Sequence, residues 1–361
     1  MVWVRRITIT IVIVAALAFA GFNLFKQQFA MAAFNRTVER NAGVDRTADL
    51  PDGLHVYVCG SGSPMSDPTR AGPCIGILAG TRAYIIDAGA GGARNLGTMG
   101  FPWGRLEAVY LTHMHSDHID GLGELLLQSW IAGARKTPTA IIGPVGTIEV
   151  VDGFNAAYRI DSTFRLAHHG IEVADPAGFG GTATEVELPP GPAGERVVFQ
   201  DGELTITAVR VDHSPIEPAL GYHIDYKDRS MSLSGDTVFH PPFIAASTNV
   251  DIMFHEALNR EMVTAISDKL GERGLANGQK IFTDILDYHA SPAEAARAAR
   301  EAGARHLVLY HLVPPLPVPL IETAFVRDAR SHFDGPITVG RDGMLFSLPA
   351  GSDRITKRAT F

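Results

Sequence analysis

Three imidazoles and a carboxylate fall within six residues in the run Leu111-Thr112-His113-Met114-His115-Ser116-Asp117-His118. Neutral imidazole nitrogens and carboxylate oxygens are the donors that zinc and related divalent ions prefer. His113 and His115 stand two apart, so an extended or turning backbone can aim both at one ion. Asp117 and His118 follow on the next turn and can reach a second. Further along, four places repeat one pattern, a metal-capable side chain at or just past the end of an apolar run. Asp212 and His213 follow 204–211, Asp236 follows 231–235, His255 follows 250–254, and His311 follows 305–310. Neighbouring strands of a sheet end side by side, so such residues can converge.

The elements that must position these groups read as short apolar strands between Gly-rich turns. Strands are predicted at 54–58, 74–78, 83–87 and 108–111, and a helix at 121–133 with Leu122, Leu125, Leu126, Trp130 and Ile131 on its apolar face. A second strand-rich half covers 203–211, 220–225, 230–233 and 251–255. An Ala-rich helix at 291–302 carries its own start signal: Ser291 caps it, Pro292 takes the first turn and Glu294 completes a capping box. A buried strand at 305–310 follows. Residues 143–194 read as an irregular insertion over one end of the sheet, with Trp130, Tyr158 and Phe164 as candidate pocket walls. Two strand-rich halves, each followed by helices, predict an α/β architecture of two packed sheets with helices outside.

Composition bounds the rest. At 361 residues, 46% hydrophobic and 19% charged, the chain can build a large globular core. Its net charge of −8 gives no general attraction to polyanions such as nucleic acid. Cys59 and Cys74 lack metal-site spacing and read as two buried thiols or one disulfide. The N-terminus differs from everything after it: a short basic start, Arg5 and Arg6, precedes an apolar span over 7–25 that can just cross a bilayer. An uncleaved signal-anchor over 1–30 is expected, ahead of a polar linker over 31–50. The catalytic domain (51–349) would then lie outside the cytoplasm, in the periplasm, and 350–361 would form a tail. A cleaved signal peptide is the competing reading, since Ala30-Met31-Ala32 resembles a cleavage site.

Taken in order, these segments resemble the metallo-β-lactamase superfamily, and within it the ribonuclease Z-like branch, over roughly 54–346. Beside the histidine run, Gly60-Ser61-Gly62-Ser63-Pro64 with Arg70 resembles that branch's first loop, and Ile85-Ile86-Asp87-Ala88-Gly89 its second strand. His213 with Gly221-Tyr222, Ser234-Gly235-Asp236-Thr237 and Leu309-Tyr310-His311 resemble its later motifs. His255-Glu256-Ala257 and His289-Ala290-Ser291 resemble two histidine boxes of its phosphodiesterase-like members.

The resemblance implies a four-layer αββα sandwich and a hydrolase with two zinc ions per chain. His113, His115 and His213 would hold one ion, Asp117, His118 and His311 the other, and Asp236 would bridge them around a shared hydroxide. Asp117 would also orient the attacking water, and His289, assisted by Glu256, would stabilise the transition state or protonate the leaving group. Ribonuclease Z proper carries a long arm between its third and fourth motifs that grips transfer RNA. Only a short hairpin fits between His213 and Asp236 here. The substrate expected from that departure is a small phosphodiester, ester, lactone or β-lactam. Cleavage of transfer-RNA precursors ranks second, and a binding protein on a retired scaffold third. The membrane, through the N-terminal segment, and a homodimer are the other partners implied.

Overall fold

A computed structural model describes residues 2–361. It divides into two compact units, residues 1–48 and 49–361. The first is dominated by one 40-residue helix, α1 (Val2–Asn41). Its Trp3–Asn41 stretch is long and apolar enough to cross a membrane, a property that membrane anchors and signal sequences share. The helix runs on past the apolar span through the segment expected as linker, so the first part of 31–50 is helical. Thr37 and Asn41 there bond back to carbonyls four residues earlier. Helix-compatible residues without an apolar stripe leave no periodicity for sequence to show.

The second unit contains two sheets. Strands β1 (Gly53–Gly60), β2 (Cys74–Ala79), β3 (Arg82–Ile86), β4 (Leu106–Tyr110), β5 (Thr139–Gly143) and β6 (Gly181–Glu185) open the first. Strands β7 (Glu195–Asp201), β8 (Leu204–Arg210), β9 (Leu220–Tyr226), β10 (Arg229–Leu233), β11 (Ile252–Leu258), β12 (His306–Val313) and β13 (Ile337–Val339) form the second. The chain then returns to the first sheet with β14 (Met344–Pro349) and β15 (Thr356–Ala359). The orders are β15-β14-β1-β2-β3-β4-β5-β6 and β13-β12-β11-β10-β9-β8-β7. The segment expected as a C-terminal tail therefore closes a sheet edge: Thr356 to Ala359 pair with β14 although every side chain in them is exposed. Backbone pairing alone holds that strand, and a hydrophobicity pattern has nothing to register.

Helices α2 (Gly92–Met99), α3 (Ser116–Ile119), α4 (Leu122–Ile131) and α5 (Thr147–His169) accompany the first sheet. Helices α6 (Pro241–Ala246), α7 (Arg260–Glu272), α8 (Ala276–Asp284), α9 (Pro292–Ala302) and α10 (Pro319–Phe325) accompany the second. Between the sheets, Val56, Ile77, Ile86 and Tyr110 meet Ile206, Tyr222, Met231, Phe254 and Tyr310. The outer face of the first sheet packs Ile85 and Val109 on Leu96, Leu122 and Leu125. The outer face of the second packs Met253, Leu307 and Leu309 on the alanines of α9. The result is the expected αββα order, and strands buried on both faces explain the near-continuous apolar runs of β1, β11 and β12. The capping box of α9 is formed as read, by Ser291 and Glu294.

Residues 143–194 are more regular than expected. They hold the 23-residue α5, of which only Thr147 and Val151 are buried. A helix that buries so little shows no amphipathic stripe.

Candidate metal centre

The histidine run turns from strand to helix. Thr112 and His113 follow β4, His115 sits at the N-cap of α3 in an extended conformation, and Asp117 and His118 lie in that helix's only turn. His213 follows β8 and Asp236 follows β10. The turn into Asp236 needs glycine: Gly235 has φ +61, and a Cβ there would meet the Leu220 carbonyl oxygen at 2.5 Å.

His311 arrives by a different device. Glu256 on β11 pairs with Tyr310 and Ala257 pairs with Leu312, so His311 is an extra residue in β12. It adopts φ +46. This β-bulge re-aims one side chain out of the strand alternation and into the site. Asp87, just past β3, is left-handed as well, with φ +59. Such conformations in non-glycine residues cost about 1–3 kcal/mol and cluster where function imposes them.

All seven expected ligands converge. Around the first position, His115 Nδ1 lies 3.0 Å from His113 Nε2 and 3.4 Å from His213 Nε2. Asp236 Oδ2 lies 3.8 and 3.9 Å from those two Nε2 atoms. Around the second, Asp117 Oδ2 lies 3.5 Å from His118 Nε2 and 3.2 Å from His311 Nε2. The same Asp236 oxygen is 3.4 and 3.2 Å from that pair. Donors around a tetrahedral ion at the usual zinc distances are separated by about 3.3 Å, so both groupings have the spacing of a coordination shell. Asp236 belongs to both.

Hydrogen bonds on the far sides of the rings turn the donors inward. His118 Nδ1 donates to Asp87 Oδ2 at 2.8 Å, and His213 Nδ1 to the Tyr288 carbonyl at 3.0 Å. His113 Nδ1 donates to Thr112 Oγ1 at 3.1 Å, and that hydroxyl donates to Asp87. These bonds assign the tautomers and leave each Nε2 lone pair facing the cluster. Asp87 and Tyr288 are the positioning residues that the sequence reading left without a role. Asp87 carried a usable signal, an acidic side chain at a strand end like Asp236, whereas the Tyr288 carbonyl has none.

Electrostatics make the same demand. Burial pushes His113 well below the usual imidazole range and His213 down to about 4, so both present lone pairs. Burial would also lower His118 and His311, but Asp236 and the neighbouring carboxylates outweigh it and raise both. Buried carboxylates that draw protons onto imidazoles mark a place where positive charge is wanted. His118 Nε2 and Asp236 Oδ1 have no hydrogen-bond partner among the described residues, a costly state for buried polar atoms unless an ion satisfies them. The donor set, spacing and field fit divalent metal.

His289 and Glu256 lie beside the cluster. His289 Nδ1 donates to Glu256 Oε1 at 2.9 Å, and the same oxygen accepts from the amides of Ala290 and Thr237. Burial lowers His289 to about 4, while burial and the Asp236 charge hold the Glu256 carboxyl well above the carboxylate range. His289 groups with Asp236 and His311 within reach of one ion. His255 does not join: it is buried against Phe243, its Nδ1 on the Glu256 carbonyl. Nor do the expected walls. Trp130 is buried with its indole N–H on the Asp175 carbonyl, Tyr158 packs over Gly123, and Phe164 is 66% exposed. Helix α5 carries Tyr158 and Phe164 away from the site.

Residues 82–312 match a family model described as a β-lactamase superfamily domain. A protein of Mycobacterium bovis named ribonuclease Z is 37% identical over 292 residues, covering 80% of this chain and 96% of that one. The chain belongs to the metallo-β-lactamase superfamily, in its ribonuclease Z-like branch. A ribonuclease Z of Mycobacterium tuberculosis is 35% identical with the same coverage. Among solved structures, the short form of human tRNase Z superposes with a TM-score of 0.55 at 23% identity, covering 82% of this chain and 99% of that one. A metallo-β-lactamase-fold protein of Bacillus subtilis gives a TM-score of 0.57 at 20% identity, covering 82% and 100%. The ribonuclease Z-like chain is thus a metal-dependent hydrolase. The names its relatives carry favour the reading that sequence placed second, and they lend nothing to the small-molecule preference.

Proposed function

We propose that this chain is a phosphodiesterase of the ribonuclease Z type, acting on RNA with a 3′ extension. The observation that carries the reading is the pair of donor triads joined at Asp236, with the His289–Glu256 pair at their side. His113, His115 and His213 would hold one zinc ion, Asp117, His118 and His311 a second, and Asp236 would bridge them. Bound there, the ions would supply a water ionised near neutral pH and positive charge against the negative charge on the phosphoryl oxygens. Asp117 would orient the attacking water by accepting its hydrogen bond. Glu256 holds the His289 ring by Nδ1, which leaves Nε2 to take the proton that the attacking water gives up as it bonds to phosphorus and to pass it to the leaving oxygen as the P–O bond breaks. Buried Glu256 thereby acts through His289 rather than on substrate.

A second reading, a small ester, lactone or β-lactam as substrate, is favoured by one observation. Strands β9 and β10 are joined by a tight turn at Lys227-Asp228, with no arm between His213 and Asp236. The N-terminal helix would anchor the hydrolase domain outside the cytoplasm. The disulfide between Cys59 and Cys74 supports that placement, since such bonds persist in oxidising compartments.

Full-length protein in detergent, supplied with zinc, would be offered a transfer-RNA precursor, bis(p-nitrophenyl) phosphate, nitrocefin and a lactone. Metal-dependent cleavage of the precursor at its 3′ extension is expected. Turnover of the lactone or nitrocefin alone would favour the second reading. If chelation leaves every rate unchanged, the hydrolase reading fails.

A further inference from the structure

The metal centre opens into a cavity of about 320 Å³, bounded on the chemical side by His115, Asp117, Asp236, His289 and His311. Its other walls are mostly apolar and come from three separate places: Pro64 and Met65 in the loop after β1, Ile281, Phe282 and Ile285 at α8, and Val313 at the end of β12; Ser116 and Tyr288 complete the lining. Phe282 and Ile285 are not loose surface groups, since they pack on buried Leu258, Val263 and Val313. Among the described residues, no lysine or arginine lines the cavity. A polynucleotide chain running through it would bring phosphates into an apolar space without a counter-charge, and phosphate binding elsewhere depends on just such cations. The volume lies at the lower end of the range for small-ligand pockets, enough for one nucleoside-sized group.

We infer that this cavity is a subsite for a single nucleobase, the one attached to the scissile phosphodiester, seated against Phe282 and Tyr288 with the remaining RNA outside. The inference rests on the phosphodiesterase reading above and narrows it. Every base has a π-face, so stacking on an aromatic wall gives affinity with little sequence preference. Phe282 then separates substrates by what they carry beside the phosphate and not by the bond that breaks.

The test compares thymidine 5′-(p-nitrophenyl phosphate) with methyl p-nitrophenyl phosphate, which share a leaving group and differ only in the other substituent. The full chain, its Phe282→Ala variant and its Phe282→Trp variant are assayed with zinc, and thermal unfolding is followed for each. The wild type should prefer the thymidine ester, and Phe282→Ala should lower its kcat/KM about ten-fold, mainly through KM. The methyl ester should stay within about two-fold, and Phe282→Trp should restore the preference. Equal losses on both esters, or no wild-type preference for thymidine, would overturn the inference. A parallel calorimetric titration with thymidine 5′-monophosphate and with inorganic phosphate reads the subsite without turnover. Phe282→Ala should weaken only the nucleotide, and equal weakening of both ligands refutes the subsite even if neither ester is hydrolysed. Loss of ester turnover with intact nucleotide discrimination would instead count against the phosphodiesterase reading alone.

Discussion

Replacing both Cys59 and Cys74 by alanine should destabilise the hydrolase unit by about 3 kcal/mol, the loop-closure value for a link spanning some 15 residues. The two cysteines are separated by 15 in sequence, and the bond joins the end of β1 to the start of β2. The chain between them carries the turn that grips Asp342. Ser61 donates to Asp342 through both its amide and its hydroxyl, and Ala71 through its amide. It also carries Met65, a wall of the cavity beside the metal centre. Opening the link frees that segment mainly in the unfolded chain, which lowers the folding equilibrium constant by roughly two orders of magnitude. Equilibrium urea unfolding of wild type and variant, with and without reductant, measures the difference. The wild type should fall to the variant's stability once reduced, and the variant should ignore the reductant. A stability difference below about 1 kcal/mol, or free thiols titrated in the folded, unreduced wild type, would refute the reasoning.

The remaining predictions concern charge and orientation. Burial holds His255 at about 4 in the fold, against an ordinary imidazole value of 6.5. Between those values the unfolded chain binds the extra proton, so stability is lost as pH falls from 6.5 through 4, by about 2 kcal/mol at pH 5. His255→Gln should therefore lose about 2 kcal/mol less than wild type between pH 7 and pH 5 in urea unfolding, and parallel losses would dismiss the assignment. Asp87→Asn removes the carboxylate under His118 and Thr112 and should weaken metal binding at the Asp117–His118–His311 position by about 10- to 100-fold in chelator competition. Unchanged affinity would show that Asp87 orients nothing. Glu256→Leu, which removes the oxygen that accepts from His289 Nδ1, should reduce kcat by about 100-fold or more while metal content stays at the wild-type level. A loss of metal in parallel with activity would mean that Glu256 supports the ligands instead of His289.

How much of this was legible in the residues follows from what each element buries. Strand ends were readable where apolar runs stop just before His213 and Asp236, whereas His311, expected at a strand end, lies within β12, which runs on through Leu312 and Val313; the histidine run announces a metal without any fold. The αββα layering followed from two strand-rich halves, each with helices. Other features left no pattern. Helix α5 buries only Thr147 and Val151, and β15 is held by backbone bonds with exposed side chains. The bulge that turns His311 inward is a one-residue offset between β11 and β12, visible only once their register is known. Helix α8, with no fully buried residue, supplies walls of the cavity that the sequence reading assigned to Trp130, Tyr158 and Phe164. The metal-dependent hydrolase character of the site was thus easier to read than its substrate or the shape of the space in front of it.

The central claim is a two-metal centre bridged by Asp236. Metal content per chain, measured by elemental analysis after equilibration with zinc and removal of free ion, tests it most directly. The account predicts two ions in the wild type and one or none in Asp236→Ala, with Asp236→Ala still folded by circular dichroism. A single ion in the wild type, or two retained by Asp236→Ala, would contradict it.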